Sequence, residues 1–341
     1  MSRKERIKKT IDRKEVDYTP FHIDMTSFLR IRIADYYGVK MDQLEQKIGN
    51  HLLQFEYQPA SSYVQPYADE NFVIDEFGVK WDTRKKNIGD WGLVDNPLKQ
   101  PDISKVNWPN PCESGRFNHL QKLIEENPGR FNVLITPGIF DICFHMRGFS
   151  NFLADLAVNP KFAHEMLENA KQFSLGLINS LPSQVDGVRF IEDMGTQKGL
   201  LISKKMWREF LKLRNKEIYA ACKSKGIVVI RHSCGDVEEL IPDFIDDGID
   251  VLDPIQPEVM DIKNLKEKYG KYLTFYGGLG SQSTIPNGSP KDIRREVNLL
   301  HEILGKGGGY ILGPSGAIPT DAPIENVVAL IEICQKICPV F

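Results

Sequence analysis

Residues Gly226–Gly235 read Gly-Ile-Val-Val-Ile-Arg-His-Ser-Cys-Gly. Four consecutive β-branched residues, Ile227 to Ile230, predict a strand that is apolar on both faces, as in a parallel sheet covered by helices. The apolar run stops at His232-Ser233-Cys234-Gly235. Side chains two apart on a strand point the same way, so His232 and Cys234 project together from its end. Imidazole and thiolate are donors that zinc prefers. The pair therefore predicts a metal site, against the blander reading of two half-buried side chains.

Outward from this strand a rhythm runs through the chain. Strands are expected at Phe131–Pro137, Asp186–Glu192, Ile249–Asp253, Leu273–Gly277 and Tyr310–Gly313, and an earlier one at Val16–Met25. His51–Tyr57 reads equally as a strand or a helix end. Between them lie helical patterns: residues 3–12, Ser27–Gly49 interrupted at Gly38, Phe117–Glu126, Phe149–Leu181 broken at Asn159-Pro160, and Ser203–Lys225 with Ser203 as N-cap. Val237–Asp247, Ile262–Tyr269, Pro290–Leu304 and Pro323–Ile337 follow. Phe72–Trp91 breaks the rhythm and predicts a β-hairpin turning at Phe77-Gly78, placed to cover a barrel mouth. Seven strands and the ambiguous one predict a single α/β domain over residues 1–341: a (β/α)8 TIM barrel with an N-terminal helical extension and a hairpin insertion near 72–91. A doubly wound open sheet is the alternative. No Gly-x-Gly-x-x-Gly follows the first strand, and the triple glycine Gly307–Gly309 precedes a strand, not a helix.

Composition narrows the class. The 341 residues are 41% hydrophobic and 26% charged, with a formal net charge of -3, so neither a nucleic-acid stripe nor a polybasic membrane anchor is expected. No apolar run reaches membrane-spanning length and no signal-peptide core stands at the N-terminus, which predicts a soluble, cytoplasmic protein. The six cysteines are too scattered for a disulfide scaffold, and Cys334 and Cys338, four apart on the last helix, read as buried side chains.

In a parallel barrel, chemistry gathers at the C-terminal ends of the strands. Those ends carry His22 and Asp24, Thr136-Pro137-Gly138, Glu192-Asp193, His232 with Cys234, Asp253 with Gln256, Tyr276-Gly277-Gly278, and Ser315. Glu192, Asp193 and Asp253 are candidate catalytic acids or bases, although salt-bridge partners or a capping turn would need the same residue types. His22, Asp24, Gln256, Tyr276 and Ser315 are candidates for the substrate-facing wall. Cys143 and His145 read as core or lid residues.

Taken together, these segments resemble the uroporphyrinogen decarboxylase superfamily. The resemblance runs through Arg3–Pro20, Glu192–Ser203 (EDMGTQKGLLIS), Trp207–Phe210, His232–Val237 (HSCGDV), Leu240–Asp243, Gly248–Pro257, Phe275–Gly278 and Gly308–Asn326. It implies a (β/α)8 barrel and two branches. In the decarboxylases an arginine-rich segment after the first strand binds porphyrinogen carboxylates. The matching stretch here, Asp24–Arg30, lacks that segment, with only Arg30 and Arg32 nearby. The His-x-Cys-Gly element resembles the corrinoid-dependent methyltransferases, specifically the methylcobamide:coenzyme M type. There it implies zinc on His232 and Cys234, with a third ligand at the position of Ser315. A serine hydroxyl is a poorer zinc ligand than a thiolate, so either Glu192 or Asp193 completes the set or the metal is weakly held. The resemblance thus implies transfer of a methyl group between a small O-, S- or N-methyl compound and the cobalamin of a partner corrinoid protein. Either a metal or a protonated Glu192 or Asp193 would neutralise the leaving group. A tetrapyrrole decarboxylase is the alternative enzyme, a non-catalytic binding barrel a third reading, and a homodimer is compatible with all three.

Overall fold

The computed structural model describes residues 1–66, 71–84 and 92–337. Among the described residues the strands are β1 (Leu52–Glu56), β2 (Phe72–Ile74), β3 (Lys80–Asp82), β4 (Gly92–Asp95), β5 (Phe131–Pro137), β6 (Gly187–Ile191), β7 (Gly195–Thr196), β8 (Gly199–Leu200), β9 (Val228–His232), β10 (Val251–Ile255), β11 (Thr274–Leu279) and β12 (Tyr310–Pro314). Seven form one sheet in the order β1-β5-β6-β9-β10-β11-β12, every neighbouring pair parallel.

The segment read as a first strand, Val16–Met25, supplies the eighth stave without becoming a regular strand. It bridges β12 at Phe21–Leu312 and reaches Ile318 from Met25. His22 N donates to the Leu312 carbonyl at 2.9 Å, and Leu312 N to Pro20 at 2.8 Å. On the other edge His51 N donates to the Phe21 carbonyl at 3.1 Å, but Ile23 N finds the side-chain Oδ1 of Asn50 at 2.8 Å. A side-chain amide thus replaces one rung of the ladder, and this is why the stave is irregular. With both edges joined, the sheet closes into a (β/α)8 barrel.

The N-terminal helix Arg3–Ile11, held by a capping box between Ser2 and Glu5, buries Ile7 and Ile11 against the inward-facing Leu52, Phe131, Val133, Ile230, Val251 and Ile311. Burying each isoleucine stabilises by about 1.5–3 kcal/mol. The helix stops the N-terminal end of the barrel, so access is left to the C-terminal end. A larger outer cluster packs the helices on the sheet, with Trp207, Phe244 and Tyr219 fully buried.

The long helix from Lys204 to Ser224 starts at Ser203, whose Oγ accepts from Met206 N at 3.2 Å, and passes through a π-helical turn at Arg208–Lys212. Helix Ile139–Arg147, which carries Cys143 and His145, follows β5 directly. The expected hairpin is a three-stranded antiparallel sheet, β2-β3-β4. Its turn is built on Asp75, whose Oδ1 accepts from Phe77 N and Val79 N while Gly78 takes a φ of +81°. Trp81 packs edge-on against His145 with ring centroids 4.9 Å apart, which seats this sheet beside helix Ile139–Arg147. Residues 85–91 of the expected hairpin, and Cys338, lie outside the described residues. Among the described residues, no helix is long and apolar enough to cross a membrane.

Candidate functional site

The site grows from the ends of β6 and β9. His232 is the last residue of β9, and Ile191, its register partner, is the last of β6. Two loops leave side by side and clasp each other. Met194 N donates to Ser233 Oγ at 2.8 Å, Asp236 N to the Thr196 carbonyl at 2.9 Å, and Cys234 N to Asp193 Oδ1 at 2.8 Å. The clasp requires glycine on both sides. A Cβ on Gly195 would lie 2.6 Å from the Cys234 carbonyl oxygen, and one on Gly235, whose φ is +81°, would lie 2.3 Å from the Gly195 carbonyl carbon. The result brings three unlike donors together. His232 Nε2 is 3.5 Å from Cys234 Sγ and 3.8 Å from Asp193 Oδ1, and ligand atoms of the three residues lie within 4.8 Å of one another. Ligands on one zinc ion are about 3.3–3.8 Å apart at bond lengths of about 2.0–2.3 Å. The nitrogen, sulfur and oxygen donors therefore fit one such ion.

Below this triad the barrel interior is polar, with its charged groups joined through Arg189 and Asp253. Asp253, the register partner of His232 on β10, accepts from His232 Nδ1 at 2.9 Å and from Arg189 Nε at 2.5 Å. Arg189 also reaches Asp24 at 3.1 Å and Gln54 at 3.3 Å, and lies 5.6 Å from the Tyr276 ring centre. Burial opposes charge on all three members. Even so, Arg189 and His232 hold the Asp253 carboxyl below the usual carboxylate range, and Asp253 pushes the His232 imidazole up to about 10. Because Nδ1 is committed to Asp253, Nε2 is the nitrogen turned toward Cys234 and Asp193.

A family model described as uroporphyrinogen decarboxylase (URO-D) matches residues 2–337. The chain belongs to the uroporphyrinogen decarboxylase family. Its barrel superposes on a methyltransferase from Methanosarcina mazei with a TM-score of 0.76 and 18% identity, covering 98% of this chain and 99% of that one. A D-psicose 3-epimerase from Clostridium cellulolyticum H10 gives a TM-score of 0.40 at 14% identity over 65% of this chain and 81% of its own. A GH27 β-L-arabinopyranosidase from Geobacillus stearothermophilus gives 0.43 at 11% identity, over 96% and 78%. Similarities of these last two degrees carry no weight for function. Comparison with curated protein sequences finds no match.

In this member of the uroporphyrinogen decarboxylase family, the residues singled out by sequence do not all meet. His232, Cys234 and Asp193 converge, with Asp253 and Asp24 linked to them through Arg189. His22 and Tyr276 lie in the same interior, their rings 6.3 Å apart, and burial pushes the His22 imidazole down to about 4. Gln256 holds the Cys234 loop, its Oε1 accepting from Gly235 N at 2.9 Å, while its buried Nε2 has no partner among the described residues. Ser315 turns to Ser281, accepting from its backbone N at 3.1 Å.

Glu192 stands apart, on the opposite face of β6. Its carboxylate pairs with Arg231 at 2.6 Å and accepts from Phe140 N at 2.7 Å and Asn215 Nδ2 at 3.3 Å, while Arg231 donates to Tyr219 in the helical layer. Strand alternation accounts for this: 189, 191 and 193 face inward, and 188, 190 and 192 outward. The same parity could have revealed Arg189, the residue the sequence reading missed, because it shares a face with Asp193.

Proposed function

We propose that this protein is a methyltransferase that moves a methyl group between a small O-, S- or N-methyl compound and the cobalt of a corrinoid carried by a partner protein. The observation that carries the reading is the convergence of Asp193, His232 and Cys234 at the open end of a barrel of this family. Asp193 stands where the sequence offered a choice of acids for a third ligand.

Departure of an alkoxide or thiolate from a methyl group is slow unless its charge is neutralised as it forms. A zinc ion held by Asp193, His232 and Cys234 would supply Lewis acidity toward that heteroatom. The chain's own residues do the rest. Asp253 fixes the His232 tautomer, Arg189 anchors Asp253, and the glycine clasp keeps Cys234 beside Asp193. His22, Asp24, Tyr276, Gln256 and Ser315 form the candidate wall for the methyl donor. The free Nε2 of Gln256 offers one hydrogen bond to it.

Decarboxylation of a tetrapyrrole is the weaker reading for a physical reason. A multiply anionic ligand needs several uncommitted cations. Arg30 is paired with Glu45 at 2.6 Å, Arg32 donates to the Thr320 and Ala322 carbonyls, and Arg189 is spent on Asp253 and Asp24.

The test is spectroscopic. The protein is offered reduced cobalamin with a panel of methyl ethers, thioethers and methylamines, and methylcobalamin with thiol or amine acceptors, while the cobalt absorption spectrum is followed. An unchanged spectrum across both panels removes the methyltransferase. Metal analysis of the wild type beside His232→Ala tests the zinc: about one ion lost on substitution is expected, and none bound in the wild type removes the metal from the proposal.

A further inference from the structure

The barrel interior admits solvent from one end. Gln54 shares a face of β1 with Leu52, and Ile135 shares a face of β5 with Val133. Leu52 and Val133 belong to the inner cluster under helix Arg3–Ile11. Gln54 and Ile135 nonetheless stay partly exposed. Because that helix stops the N-terminal end, the solvent that reaches them enters through the C-terminal mouth.

Asp24 and the donor triad face each other across this space. Phe21, Ile23 and Met25 pack in the outer cluster, so His22 and Asp24 of the same stave turn inward. In the order of the closed sheet this stave stands opposite β9, which carries His232. Arg189 spans the gap. Its Nη1 donates to Asp24 Oδ2 at 3.1 Å, and its Nη2 lies 3.0 Å from His232 Nδ1. Arg189 is itself buried, four positions deeper along its chain segment than Asp193. Its guanidinium is therefore a floor, with Asp24 on one wall and His232, Cys234 and Asp193 on the other. Both walls are open above it: the Asp24 side chain is 30% exposed and that of Asp193 53%.

We propose that this space takes a methyl compound whose far end is a cation, an ammonium group, and that Asp24 selects it. This rests on the methyltransferase reading and names the substrate class within it. The methylated heteroatom lies at the triad, and a short chain carries the ammonium across the guanidinium to Asp24. The chemistry of the wall sets the sign. Asp24 Oδ2 is used by Arg189, whereas Oδ1 has no hydrogen-bond partner among the described residues. Arg189 does not cancel Asp24, because Asp253 shares the same guanidinium through Nε. His22 Nδ1 and Gln54 Nε2 also lack partners among the described residues, but they carry no charge: an amide is neutral, and burial keeps the imidazole so. Charge discrimination at this wall thus falls to Asp24. An ammonium gains a hydrogen bond and an ion pair at Oδ1, an alcohol gains the hydrogen bond alone, and a sulfonate or carboxylate meets a like charge.

The experiment uses three thioethers of one length that differ only in the far end: S-methylcysteamine, 2-(methylthio)ethanol and 2-(methylthio)ethanesulfonate. Their binding to the purified protein is measured by calorimetry at pH 7. The ammonium compound should bind about 10-fold more tightly than the alcohol, and the sulfonate more weakly than either. Asp24→Asn should bring the ammonium compound to within about 3-fold of the alcohol, with metal content unchanged; Asp24→Ser serves if that variant does not fold. Equal binding of the three, preference for the sulfonate, or no binding of the ammonium compound overturns the inference. So does an ammonium preference that survives in the variant, because it would then come from the triad. The same compounds are offered with reduced cobalamin. Cobalt methylation without a cation preference removes this inference and leaves the methyltransferase. A cation preference with no cobalt methylation from any donor removes the methyltransferase and leaves Asp24 as the selector of a cationic ligand.

Discussion

Replacing Asp253 by Asn removes the single negative charge held between His232 and Arg189 in the barrel interior. Asp253 is 1% exposed and meets His232 at 2.9 Å and Arg189 at 2.5 Å. At an effective dielectric of about 20, each contact carries about 6 kcal/mol of Coulomb attraction. Most of that is consumed in withdrawing three charged groups from water, which is why deletion of one member costs about 3–5 kcal/mol rather than the full sum. The amide can still accept one bond, so the lower half of that range is expected. The cost should register in urea unfolding followed by circular dichroism. Arg189→Met should cost a similar amount, because it strips Asp253 and Asp24 of their cation together. The two losses should not add: in Arg189→Met/Asp253→Asn the sum should fall short by about 1–3 kcal/mol, as for residues in one network. Zinc affinity measured against a competing chelator should fall about 10–100-fold in Asp253→Asn, since the imidazole loses the carboxylate that orients it. A loss below about 1 kcal/mol, or additivity of the two substitutions, would refute the account of the interior as one coupled network.

Three further outcomes are expected. Gly235→Ala forces a left-handed backbone on alanine and drives its Cβ into Gly195; it should cost about 1–3 kcal/mol and lower metal content by separating Cys234 from Asp193, read by unfolding and metal analysis. Ser203→Ala should cost about 1 kcal/mol through loss of the N-cap bond to Met206, with no effect on metal binding. Asp247 is buried with neither oxygen bonded among the described residues, and burial, with Asp246 and Asp243 adding and Lys212 and Lys216 opposing, pushes it up to about 7. An acid that keeps its proton longer in the fold than in the unfolded chain stabilises fully below about pH 4, and loses that contribution as pH rises toward 7. Its part in the stability–pH curve should be a decline of at most about 4 kcal/mol across that window, absent from Asp247→Asn.

The barrel was legible because local signals agreed. The largely apolar run at 131–137 and the purely apolar one at 227–230 fit a covered parallel sheet, and helices along the chain announce a start with Ser203 and an end with Gly248. The residues at the strand ends were legible for the same reason, since polar groups can follow such runs only where the strands emerge. Partnership was decided by tertiary contact. Arg189 sits in an apolar run, and nothing local to it signals that Asp253, 64 positions later, will neutralise it. Glu192 and Asp193 are adjacent in the chain, yet strand alternation turns one toward Arg231 and the helices and the other toward His232. Sequence determined which chemical groups reach the mouth of this barrel. Only the closed sheet decided which of them meet, because burial and charge act between strands rather than along them.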